Sequence, residues 1–265
     1  MIMFYYRFAI DVILGILVFA FLTLSVLYGL FSEQLDYIQK FIFYFALPSS
    51  NMGATRSLIT LTITVERCLA AYTPIFFHNF RDHFPTVLIL VVALLFGFFE
   101  SVVLYQICDF QLVVPKNCVA LGCLINTCFL SFWSTHKTTI FALTCLFSLL
   151  LCVKLFVLNK FGAAKNGGEL SRVNRLALID AANVCIFDFL PSFLANQFSQ
   201  TQLFSFEKIG PYGAAMKLFG CAIEALLVYR TLVRKSGFQT AESSKAYRNT
   251  KKKVTIVGVG GAVAN

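Results

Sequence analysis

Charge is scarce in this chain. Only 13% of its 265 residues are charged, and the mean hydropathy is +0.76. A soluble globular protein of this length needs far more polar surface, so that class is excluded. Metal and redox signatures are missing too. The nine Cys form no Cys-x-x-Cys pair, and no His-Glu-x-x-His motif occurs. No nucleophile–base constellation stands out, so neither an enzyme nor a cofactor or metal site is expected. No Asn-x-Ser/Thr sequon is present, so glycosylation places no segment outside the cell. Internal repeats and paired Gly/Pro-broken helices, frequent in transporters, are also absent. The net charge of +9 does not point to nucleic acid. Lys and Arg fall between apolar runs, as topology signals do.

What is present is 58% hydrophobic residues, gathered into six runs long enough to span a bilayer. A helix rises ~1.5 Å per residue and the hydrocarbon core is ~30 Å thick, so ~20 residues suffice. The runs are about 8–31, 41–67, 86–107, 138–158, 176–197 and 209–230. They predict an all-α polytopic membrane helix bundle over 1–235, with a disordered cytosolic tail over 236–265. The lipid bilayer is the first partner. With Met1 cytosolic, every Lys and Arg except Lys40, Arg56, Lys116, Lys137, Lys208 and Lys217 falls on the cytosolic side. Both termini are therefore predicted inside. The first run is a retained helix rather than a signal peptide. Val12 to Phe31 holds 20 uncharged residues and no small-x-small cleavage site follows.

Ionisable residues interrupt these runs: Asp11, Arg56, Glu100, Asp180, Asp188, Lys217 and Glu224. Within a membrane such residues face the bundle interior or a watery cavity. Asp180, near a helix end, is expected to snorkel. Arg56 lies 11 residues before Arg67, about three turns along the helix and close to mid-membrane. It needs an acid. Asp11 is the candidate, because the short 32–40 connection packs the first two runs antiparallel. A buried Asp11–Arg56 pair is expected, with Arg7 snorkelling to the cytosol. The alternative is two charges hydrated separately in a polar cavity. Lys217 and Glu224, seven apart on the last run, share a face and serve an interhelical network or a transport path. Pro191 is expected to kink its helix, free a carbonyl and act as a hinge; the alternative is an ordinary proline of the kind frequent in membrane helices. Cys108, Cys118, Cys123 and Cys128 crowd the 108–137 connection on the oxidising side. Disulfides in any of three connectivities are expected there, with a zinc site as the alternative. Cys68, Cys145, Cys152, Cys185 and Cys221 read as small apolar residues within helices.

The stretch Leu58 to Pro85, LITLTITVERCLAAYTPIFFHNFRDHFP, carries Glu66 and Arg67 at the end of an apolar run. Pro74 follows eight residues after the acid, ahead of a polar break at His78, Asn79, Arg81, Asp82 and His83. The pattern resembles the end of the third helix in G-protein-coupled receptors, Asp/Glu-Arg-aromatic, with Cys68 in place of the aromatic. Four stretches together resemble the nematode serpentine chemoreceptors of class BC. Phe4 to Gly15 (FYYRFAIDVILG) is similar to that family's second helix, and Thr62 to Arg81 (TITVERCLAAYTPIFFHNFR) to its third. Leu121 to His136 (LGCLINTCFLSFWSTH) is similar to its cysteine-containing loop, and Ile209 to Lys235 to its last helix.

The resemblance implies six helices of a seven-helix receptor fold, with the family's first helix either lost or missing from an incomplete sequence. It implies a chemosensory receptor at the plasma membrane of a sensory neuron. A small-molecule chemical cue would bind between the helices near the outer face and favour a conformation whose inner face binds a heterotrimeric G protein. Glu66, Arg67 and Pro74 would form the coupling motif; the alternative is an ordinary charge pair at a helix end. The basic segments 159–175 and 230–253 would contact the G protein or anionic lipid. A six-helix transporter or channel subunit, and a non-signalling receptor remnant, are the competing readings. The last run has no Asn-Pro-x-x-Tyr, the second has no Cys at its outer end, and the tail from Lys251 has no assigned role.

Overall fold

A computed structural model describes residues 2–31, 37, 39–81, 85–112, 121–161, 179, 182–183, 185–197, 213–223, 225–227 and 229–230. Two compact units are distinguished, Met1–Ala222 and Ile223–Asn265. In the second, the described residues 223, 225–227 and 229–230 are helical. Every feature below belongs to the first. Among the described residues there is no strand.

The elements are α1 (Ile2–Leu30), α2 (Gln39–Tyr72), α3 (Pro74–Arg81), α4 (Thr86–Val102) running into a π-helical turn (Val103–Ile107), α5 (Leu121–Leu124) and α6 (Thr127–Phe161). A second π-helical turn (Cys185–Phe189) leads into α7 (Leu190–Gln197). Residues 213–222 form a further helix, α8. Among the described residues, three stretches are long and apolar enough to cross a membrane: Met3–Leu30, Thr86–Ile107 and Thr127–Lys154. Their outward faces are apolar and exposed, as with Ile16 and Phe19 on α1, Leu95 and Phe98 on α4, and Leu149 and Phe156 on α6. Lipid is the solvent such faces suit. The chain is a multi-pass membrane protein with an all-α fold.

α2 is the centre. It packs against α1, α3, α4, α5 and α6, so it turns little surface to lipid and tolerates polar residues. Ser57, Thr60 and Thr64 each satisfy a hydroxyl on the carbonyl four residues back, at 2.8, 2.9 and 2.8 Å. Gly97 of α4 brings α4 close. A Cβ there would stand 2.5 Å from Asn51 O and would also strike Thr55 Oγ1. Two apolar clusters stack along α2. Phe21, Tyr28, Ile42, Phe43, Leu104 and Phe129 fill the end carrying Cys108. Met3, Ile10, Ile59, Ile63 and Ala93 fill the opposite end, which carries Arg7.

Several expected boundaries move. α6 begins at Thr127 rather than near residue 138. Ser, Thr, His and Lys make 131–137 look like a loop, yet Phe129, Phe132 and Trp133 recur at helical spacing and pack on the core. Asn126 caps the helix, its Oδ1 accepting from Phe129 N–H at 3.0 Å. α2 continues past Arg67 to Tyr72, because Thr73, the residue before Pro74, is the one disfavoured in helix. Pro74 then opens α3, a position where its missing N–H is not needed, so Pro74–Arg81 is helical rather than a polar break. In the 176–197 run, Cys185–Phe189 is a π turn just before Pro191, the local widening that lets a proline sit in a helix.

Candidate ligand-binding cavity

Between α1, α2, α6, α7 and α8 lies a cavity of about 130 Å³. Leu14, Val18 and Phe21 of α1 form one wall, and Phe187 and Pro191 another. Leu121, Gly122 and Ile125 close the Cys108 end. The polar lining consists of Ser49 and Ser50 on α2, Trp133, Ser134, Lys137 and Thr138 on α6, and Lys217 on α8. Residues 133, 134, 137 and 138 share a face because they recur at helical spacing. Sequence reasoning left the ligand-binding residues open; this lining supplies candidates. Chain order alone cannot bring five elements to one volume.

A buried polar cluster backs this cavity. Ser50 is its hub. Its hydroxyl donates to Glu100 Oε2 at 2.8 Å and accepts from Trp133 Nε1 at 2.7 Å and Lys137 Nζ at 3.1 Å. Glu100 Oε1 lies 2.9 Å from His136 Nε2 and 3.7 Å from Lys137 Nζ. His136 Nδ1 meets Phe132 O at 3.0 Å and donates to it. Lys137 also stands over the Trp133 ring, 4.1 Å from its centroid. Lys137 was expected in an outer loop, but its 4% exposure places it in the helix bundle. The early start of α6 explains the difference.

Lys217 is the second ammonium on the cavity wall. It approaches α2 at Gly53, where a Cβ would lie 4.0 Å from its Nζ. Glu224 and Asp180 lie outside the described residues, as does the Asp188 side chain.

The other half of α2 holds a second charged cluster. Arg56 Nε donates to Asp11 Oδ1 at 2.6 Å, and both side chains are buried. Arg7 does not snorkel. It is 1% exposed, donates to Thr60 Oγ1, and its Nε lies 3.7 Å from Asp11 Oδ2. The cause is helical spacing: Arg7 and Asp11, four apart, share the α1 face that packs on α2.

Glu66 and Arg67 sit on the last turns of α2, both half-buried. The Arg67 guanidinium stands 5.9 Å from the Phe4 ring centroid. Pro74 is beyond the helix end, at the start of α3. One tie at this end is not foreshadowed by any sequence signal. Tyr72 donates its hydroxyl to Leu150 O at 3.0 Å, while Lys154 Nζ stands 5.1 Å over the Tyr72 ring.

Cysteines fasten the opposite end. Cys108 and Cys128 form a disulfide from the end of α4 to the first turn of α6. Asn126 Nδ2 donates to Cys108 O at 2.7 Å alongside it. Asp109 takes the left-handed conformation, φ 43°, that turns the chain there. Cys123 is also disulfide-bonded; Cys118 lies outside the described residues. Cys145 and Cys185, expected as separate apolar thiols, are joined, with Cα atoms 6.6 Å apart. The packing of the π turn on α6 brings together two residues 40 apart in sequence. Among the described residues, no group of His, Cys, Asp and Glu could hold a metal ion.

The family model for the serpentine type 7TM GPCR chemoreceptor Srbc matches residues 1–236. No curated protein and no solved structure matches the chain. With apolar spans around a polar central helix, and a match over most of its length, the chain belongs to the Srbc family of serpentine seven-transmembrane chemoreceptors.

Proposed function

We propose that this protein is a plasma-membrane chemosensory receptor that binds a small-molecule cue in the cavity and signals to a heterotrimeric G protein. The observation that carries the reading is the placement of two features on one helix. Ser49 and Ser50 of α2 line the cavity, and Glu66 and Arg67 lie on the same helix, about four turns away. With both termini cytosolic, the cavity lies in the outer half of the bundle and Arg67 near the cytosol.

A ligand held more tightly in one arrangement of α1, α2, α6 and α7 shifts the population toward it. The π turn and Pro191, both at the cavity wall, supply the hinge. Glu66 and Arg67 hold the resting form, and Pro74 sets where α3 begins beneath them. The shift releases Arg67 toward the G protein. The chain itself performs no catalysis in this scheme.

The test is GTP exchange in cells expressing the receptor with a panel of G-protein α subunits, under a library of small volatile and water-soluble compounds. At least one compound should raise exchange, and Arg67→Ala should abolish the rise at equal surface level. Exchange that never depends on compound, or that survives Arg67→Ala unchanged, refutes the reading.

A further inference from the structure

We infer that the cavity takes a small organic anion, a carboxylate on a short apolar body, with Lys217 as its counter-charge. The inference rests on reading the cavity as the ligand site. Two ammonium groups line it, and they differ in one respect. Lys137 is already matched by Glu100 at 3.7 Å and by Ser50 at 3.1 Å. Lys217, half-buried on α8, meets no carboxylate among the described residues. A cation at membrane depth is unfavourable unless it finds an anion or water.

The rest of the wall narrows the chemistry. A ligand amine would face two ammonium groups, while the nearby acid among the described residues, Glu100, is engaged by Ser50, His136 and Lys137. A neutral ligand would leave Lys217 as it stands. A carboxylate would gain a charge-assisted hydrogen bond. The hydroxyls of Ser134 and Thr138, one turn apart on α6, line the same cavity as further donors. Leu14, Val18 and Phe21 suit an apolar body. Size follows from volume. An apolar cavity of ~150 Å³ accommodates benzene, so about 130 Å³ suits a ligand of roughly six to eight heavy atoms.

The chain contains a single tryptophan, and it is Trp133 on the cavity wall. Tryptophan emission therefore reports this cavity alone. The full chain in lipid nanodiscs is titrated with hexanoate and with hexanamide, its uncharged isostere. Hexanoate should give a saturable change in emission at a concentration at least about tenfold below any change with hexanamide. Lys217→Met should weaken hexanoate by about tenfold or more and leave hexanamide unchanged, while Lys217→Arg retains the hexanoate response. Equal responses to the two probes, no saturable response to hexanoate, or a hexanoate response untouched by Lys217→Met each overturns the inference.

GTP exchange measured in parallel separates this from the signalling reading. Charge-selective Trp133 responses without exchange sink signalling and keep the anion. Exchange driven only by uncharged compounds keeps signalling and sinks the anion.

Discussion

Arg56 of α2 donates its Nε hydrogen to Asp11 of α1 across 2.6 Å, in a part of the bundle where both side chains are buried. Asp11→Asn leaves Arg56 without its carboxylate, which commonly costs ~3–5 kcal/mol, whereas Arg56→Gln leaves Asp11 with Arg7 at 3.7 Å. Asp11→Asn should lower stability by about that amount, and Arg56→Gln by less. The double variant should lose clearly less than the two losses added, since neither charge remains. Equilibrium unfolding of the detergent-solubilised protein measures all three. Strictly additive losses would show that the two residues act independently. Arg7, bonded to Thr60 beside them, remains as a second cation that has lost Asp11 and sets an upper limit to the recovery.

The Glu100 cluster should behave in the same way with a different signature. Glu100→Gln leaves Lys137, 4% exposed, without its carboxylate. The expected loss is ~3–5 kcal/mol. Adding Lys137→Met should recover most of it, because a well-packed apolar residue can replace a buried ion pair. Thermal unfolding followed by helical circular dichroism gives the comparison. A double variant no more stable than Glu100→Gln alone would mean that Ser50, Trp133 and His136, rather than Lys137, set the requirement for the acid.

Two glycines make an internally controlled pair. Gly97→Ala should destabilise the bundle by ~1–3 kcal/mol, since the new methyl meets backbone at Asn51 and one of the two helices must move. Gly15→Ala, where nothing lies within 4 Å, should be neutral or stabilising by up to ~1 kcal/mol through helix propensity. Melting temperatures of the two variants against the parent decide it. Equal behaviour at the two sites would mean that α4 does not approach α2 closely at Gly97.

Asp11 and Arg56 were readable as neighbours because helix rise and a nine-residue connection, 32–40, set their heights on adjacent helices. The 86–107 run was readable as one span because Glu100 is its only charged residue. Lys137 was misplaced for a related reason. Hydropathy averages over a window, so polar residues on the inner face of α6 masked the aromatic spacing of Phe129, Phe132 and Trp133. Arg7 was assigned to the cytosol on proximity to the end of the run, whereas the face it occupies directs it at Thr60. The Cys145–Cys185 link and the cavity depend on how helices distant in sequence sit together, and no local pattern encodes that.

The polarity of α2 bears on how the chain reaches its place in the bilayer during synthesis. α1, α4 and α6 supply stretches apolar enough to cross a membrane by length and composition. α2, with Asn51, Arg56, Ser57, Thr60 and Thr64 through its middle, gains little by partitioning into lipid alone. Its entry therefore depends on company. α1 leaves the ribosome before α2 and presents Asp11 to receive Arg56. α4 and α6 follow and cover the polar sides that remain. The central helix is in this sense a passenger of its neighbours, and substitutions on the α1 face toward it affect the yield of assembled protein as well as its stability.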